Sequence, residues 1–146
     1  MSKVKKIRLC DWMLVFVMAF ILTSGIQLEA TDSRSISWIW IHVIIGCLFF
    51  ANIVWHLYLH FGWKSWIPRL RKQKSPVTRW LAVFALLTLI SALVSLFHWI
   101  GTYTHSPIGG IHGKIGFVFI ALAIGHTIKR VKFFKSTKKS LKARSL

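Results

Sequence analysis

Residues 40–60 read WIHVIIGCLFFANIVWHLYLH. They lie inside a run from Ser35 to Trp63 that contains no Asp, Glu, Lys or Arg, longer than the roughly 20 apolar residues a helix needs to cross a bilayer. The stretch lacks the alternation of apolar and polar residues expected of a barrel strand, so it reads as a transmembrane helix carrying three histidines. Working outward, three more such stretches emerge: Trp12 to Leu28, about Arg79 to Ile100, and about Ile111 to Ile128, the last interrupted by Lys114 alone. The expected fold is all-α: a polytopic membrane protein with a four-helix bundle (spans about 11–29, 37–60, 79–100 and 111–130) in a single membrane domain over 1–146, with a basic tail at 131–146. A cleaved signal peptide is the alternative for the first span, but Leu28-Glu29-Ala30 lacks the small residue a cleavage site wants at its first position.

Composition agrees with this reading. The 146 residues are 55% hydrophobic with a mean hydropathy of +0.59, more apolar surface than one small soluble core hides. Twenty Lys and Arg oppose three acids, Asp11, Glu29 and Asp32, for a formal charge of +17. The positive charge is gathered into the ends and one loop, which argues against a nucleic-acid module. Lys3 to Arg8, the loop from Lys64 to Arg79, and eight basic residues from Lys129 to Arg144 belong on the cytoplasmic side by the positive-inside rule. Both termini are therefore expected to be cytoplasmic, with the basic segments also placed to meet anionic lipids. Cys10 and Cys47 have no metal-ligand spacing and indicate neither a disulfide framework nor a thiolate site.

Ionisable groups within a bilayer mark function by default. His42 and His56 lie 14 residues apart, as do His112 and His126. That spacing separates the members of each pair by about 21 Å along a helix and about 40° around it. The second and fourth spans run in the same direction, so His42 faces His112 near the outer surface and His56 faces His126 near the inner one. Two facing imidazole pairs suit two b-type haems with bis-His axial ligation, one toward each surface. The same helical faces carry Gly46, Phe49 and His60 on the second span and Gly116, Phe119 and Arg130 on the fourth. The glycines let a flat macrocycle lie against the backbone, the phenylalanines sit between the haems, and His60 and Arg130 are placed to meet the inner propionates. Close helix packing accounts equally for the glycines, and core filling for the phenylalanines.

The chain also repeats itself. Residues 41–56 and 111–126 share Ile, His, Ile, Gly, Phe, Ala and His at an offset of 70, while Trp12, Val15 and Phe16 match Trp80, Val83 and Phe84 at an offset of 68. An internal two-helix duplication follows.

On these residues the chain resembles the flavinylation-associated cytochromes and, more broadly, bacterial di-haem cytochromes b. The resemblance is carried by Trp40 to Trp63 with His42, Gly46, His56 and His60, by His112, Gly116 and His126, and by Ser24-Gly25-Ile26. It spans nearly the whole chain, though Arg130 stands where a second histidine matching His60 would be expected. The resemblance implies b haem, residence in a bacterial cytoplasmic membrane, and electron exchange with quinone or quinol and with an outward flavin or haem protein. Nothing resembles a nucleophile or nucleotide-binding motif, so no side-chain catalysis is expected. Two other readings fit parts of the pattern: a transporter or proton channel with a histidine relay, and a non-catalytic assembly subunit. The first lacks the mid-membrane acid such proteins commonly use; the second predicts no chromophore. His98 and His105, near the outer surface, are candidate quinone or propionate contacts. Lys114 should point away from His112 and snorkel, and Asn52 is explained by an interhelical hydrogen bond.

Overall fold

The computed structural model describes residues 3–31, 36–62, 68, 72, 75–102 and 107–143, with side chains from residue 5 to residue 129 of that set. It is all-helical: α1 (Lys3–Ala30), α2 (Ile36–Phe61), α3 (Pro76–Thr102) and α4 (Pro107–Ala143). Each contains a stretch with a mean hydropathy between 1.7 and 2.4, long and apolar enough to cross a membrane. The protein is a multi-pass, four-helix membrane protein.

Local chemistry sets the helix ends. Pro76 and Pro107 open α3 and α4, where a missing N–H loses no intrahelical bond and the ring pre-sets φ. Gly62 closes α2 with φ of 73° and donates its N–H to the Tyr58 carbonyl at 2.9 Å, a left-handed cap open to glycine at little strain. Thr31 ends α1 by donating both its N–H (3.0 Å) and its hydroxyl (2.8 Å) to the Gln27 carbonyl. The basic segment after residue 130 continues the helical backbone of α4 to Ala143. Within the spans, Thr23, Thr88 and Thr127 each donate a hydroxyl to the carbonyl four residues back, which keeps polar hydrogens bonded where no water is present.

The helices form two hairpins. α1 packs along α2, α3 packs along α4, and a lighter contact between α1 and α4 joins them. This matches the duplicated helix pair in the sequence. Among the described residues no Cα of α2 lies within 8 Å of one in α4. Side chains bridge that gap instead, chiefly the buried Phe49 and Phe119, whose ring centres are 5.9 Å apart. Ile120 joins them, with Met18, Ile21, Ile53 and Phe84 packed around. The outer faces are apolar and open: Phe97 is 71% exposed and Phe16 62%, a surface that suits lipid rather than water. Trp12, Trp40 and Trp80 are also exposed, as interfacial anchors are, while Trp63 and Trp66 lie outside the described residues.

Candidate functional site

A cavity of about 810 Å³ fills the space between the hairpins, within the range of small-molecule and cofactor sites. His42, Gly46 and Phe49 line it from α2, and His112, Gly116 and Phe119 from α4. The gap between α2 and α4 arises because each ligand-bearing helix packs against its own hairpin partner. The opposing histidines are thus held apart by backbone that cannot close in.

The ring centres of His42 and His112 are 6.2 Å apart, with planes at 77°. A first-row metal binds imidazole nitrogen at about 2 Å, and the ring centre lies about 1 Å behind that nitrogen, so two trans imidazoles on one metal have centres roughly 6 Å apart. The centre-to-centre distance equals that span, with the two rings meeting edge to face. Each ring is also fixed from behind. His42 Nδ1 lies 2.9 Å from Ser24 Oγ on α1, and Ser24 donates its hydroxyl to the Ile21 carbonyl at 3.0 Å. His112 Nδ1 lies 3.2 Å from Ser91 Oγ on α3, and Ser91 donates to the Thr88 carbonyl at 3.1 Å. A hydroxyl has one proton. When that proton goes to the carbonyl, the serine oxygen accepts from Nδ1–H, the tautomer that leaves the lone pair on Nε2. Gly25 lies beside this arrangement: a Cβ there would be in ordinary contact with Cε1 of His42, at 3.6 Å.

The two glycines that share the ligand faces differ. A Cβ at Gly116 would meet nothing within 4 Å, whereas one at Gly46 would touch the Ile21 side chain at 3.7 Å. The free surface for a flat ligand therefore lies on the α4 side. Glu29 stands at the mouth of the cavity, its Oε2 3.9 Å from the position a Cβ would take at Gly113.

At the opposite end of α2, His56 has another kind of partner. Its Nδ1 lies 2.9 Å from Oδ1 of Asp11 on α1, a close ion-pair distance whose approach angle falls short of a hydrogen bond. His60, one turn on, stacks against His56 at 4.5 Å between ring centres. Ligand atoms of Asp11, His56 and His60 lie within 4.8 Å of one another. His126 is half-buried on α4, about four turns from His112. The Arg130 side chain and all of His105 lie outside the described residues.

His98 and Thr102 pair through Nδ1 and Oγ1 at 3.3 Å within α3, and Lys114 is exposed on α4. Asn52 departs from the expected interhelical bond: its amide donates to the Leu48 carbonyl of its own helix at 2.9 Å. The interhelical contact there comes from the Cys10 thiol, 3.8 Å from the Asn52 backbone carbonyl. The carbonyl four residues back takes the amide N–H, while the buried Asn52 Oδ1 has no hydrogen-bond partner among the described residues.

Ser24, Ser91 and Asp11 are the residues that sequence pattern does not mark as functional. The available signal is a hydroxyl or carboxyl within a largely apolar span, at the depth of a histidine on the paired helix. No protein-family model, curated protein or solved structure matches this chain.

Proposed function

We propose that the protein is a membrane-embedded di-haem b cytochrome that passes electrons between a quinone pool and a redox partner such as a flavinylated protein. The observation that carries this reading is the His42–His112 pair, 6.2 Å apart across a cofactor-sized cavity with both Nδ1 atoms turned onto serine oxygens. His42 and His112 hold one haem, and His56 and His126 the other. Haem held by these residues would supply one-electron ferric/ferrous chemistry.

The chain's own residues then do three things. Ser24 and Ser91 fix the tautomer and ring angle of the outer ligands, the supporting role that partners of metal-bound histidines commonly take. Phe49 and Phe119 exclude water between the two sites, which keeps the dielectric low there. The open backbone at Gly116 receives the flat face of the cofactor. Placement in a bacterial cytoplasmic membrane, with the basic loop and tail inside, follows from the charge asymmetry and the family resemblance.

A reduced-minus-oxidised visible spectrum of the purified chain, with haem counted per chain, tests the reading. Two b haems per chain are expected, while colourless protein from cells well supplied with porphyrin would end it. Ser24→Ala and Ser91→Ala should each loosen haem at the outer site roughly tenfold, read as haem transfer to an acceptor apoprotein. Serine-to-threonine variants, which keep the hydroxyl, should restore retention. Unchanged transfer in both alanine variants would remove the serines from the site.

A further inference from the structure

The end of the α1–α2 hairpin beside the basic amino-terminal segment gathers three metal-binding groups. His56 and His60 stand one turn apart on α2, with ring centres separated by 4.5 Å, and Asp11 reaches them from α1. One ligand atom from each lies within 4.8 Å of the others, and all three residues are half-buried. Two histidines at i and i+4 share a helix face and can close on one ion. A carboxylate from the neighbouring helix completes a two-histidine, one-carboxylate set.

Nδ1 of His56 is the informative atom. It is shielded from solvent and has no hydrogen-bond partner among the described residues, although Oδ1 of Asp11 stands only 2.9 Å away. A buried polar atom left without a partner costs free energy, and a metal ion at this point would satisfy it. Such an ion binds imidazole nitrogen and carboxylate oxygen at about 2.1 Å, so two ligand atoms at right angles around it stand roughly 3 Å apart. The observed 2.9 Å has the length of one edge of that coordination shell.

We propose that Asp11, His56 and His60 bind one divalent first-row transition ion, with His56 using Nδ1. Imidazole nitrogens select such ions over Mg²⁺ and Ca²⁺, which take oxygen ligands. Three protein ligands leave at least one position for water or an incoming ligand, the pattern of an exchangeable rather than a closed structural site. His60 is then an ion ligand and not a propionate contact.

The positive charge of Lys5, Lys6 and Arg8 opposes a cation at this end. All three are exposed, so water and salt screen them over roughly 8 Å at physiological ionic strength, whereas Asp11 supplies its charge within the site.

The ion does not depend on the haem reading. It takes Nδ1 of His56, and a haem held by His56 and His126 would take Nε2. One ring can serve both metals by releasing its remaining proton to solvent, because the two nitrogens are distinct. The two kinds of metal can therefore be counted separately.

The test uses the full-length protein in lipid nanodiscs, purified through a tag that contains no histidine. Zn²⁺ is added in a large excess of Mg²⁺, unbound metal is removed by desalting, and zinc per chain is measured by elemental analysis. The wild type should retain one equivalent. Asp11→Asn and His60→Ala should each lose it, while His98→Ala and His126→Ala should keep it. With Cu²⁺ as the probe, electron paramagnetic resonance of the wild type should show coupling to two imidazole nitrogens. No zinc on the wild type, wild-type retention in Asp11→Asn and His60→Ala, or loss in His126→Ala would overturn the inference. Haem counted on the same samples judges the other reading by itself. Two haems without zinc would overturn the ion site alone, zinc without haem the proposed function alone, and zinc with one haem would uphold the ion site and remove the second haem. If Asp11→Asn does not accumulate, His60→Ala, in the last turn of α2, decides.

Discussion

His42→Ala and His112→Ala are each expected to lower the haem content from two per chain to one, with the remaining haem spectrally unaltered. Both rings line the same cavity from helices with no Cα pair within 8 Å among the described residues, so no neighbouring backbone stands where a lost imidazole was. The partner histidine would be left on a five-coordinate iron in a pocket lined mainly by apolar side chains, and bis-His haem held by one axial bond is lost more readily. His56→Ala and His126→Ala should remove the other haem, and pairing His42→Ala with His56→Ala should give colourless protein. His98→Ala is the control: that ring engages Thr102 of its own helix and should leave both haems in place. Haem per chain from the pyridine haemochrome spectrum reads all of these outcomes. Two low-spin haems in each of the four single ligand variants would show the assignment to be wrong.

That expectation could be framed from sequence because helical period converts spacing into position. His42, Phe49 and their counterparts 70 residues on share faces by arithmetic alone, and the structure brings His42 to His112 and Phe49 to Phe119. The spans were legible for the same reason, since length and hydropathy are local properties. What could not be read is which helix backs which. A serine at 24 acquires meaning when α1 lies against α2 and its hydroxyl reaches His42, and Asp11 when it meets His56. Nothing in the period of either helix encodes those contacts. The two glycines make the same point: sequence treats Gly46 and Gly116 as equivalent, but α1 covers the first with Ile21 and leaves open space over the second. Asn52 departs in the opposite direction: a carbonyl of its own helix takes the amide N–H, and its buried Oδ1 has no hydrogen-bond partner among the described residues.

The difference between those glycines gives the second large effect. Gly116→Leu should abolish haem binding at the His42–His112 site while leaving the apoprotein folded. With nothing within 4 Å of a Cβ at this position, the protein itself has no objection to a side chain. Leucine is a better helix former than glycine by up to about 1 kcal/mol in aqueous hosts, so the fold should be preserved or slightly strengthened. The added isobutyl group would occupy the surface on which a flat macrocycle has to lie, one turn from its axial ligand. Gly46→Leu would press on Ile21 of α1 instead and should disturb the first hairpin together with haem binding, giving a less stable protein rather than a stable one with a vacant outer site. Haem stoichiometry together with thermal unfolding in detergent separates the two variants. If Gly116→Leu bound two haems with the wild-type spectrum, the face of α4 between His112 and Phe119 would be a lipid or packing surface, and the macrocycle would have to lie elsewhere in the cavity.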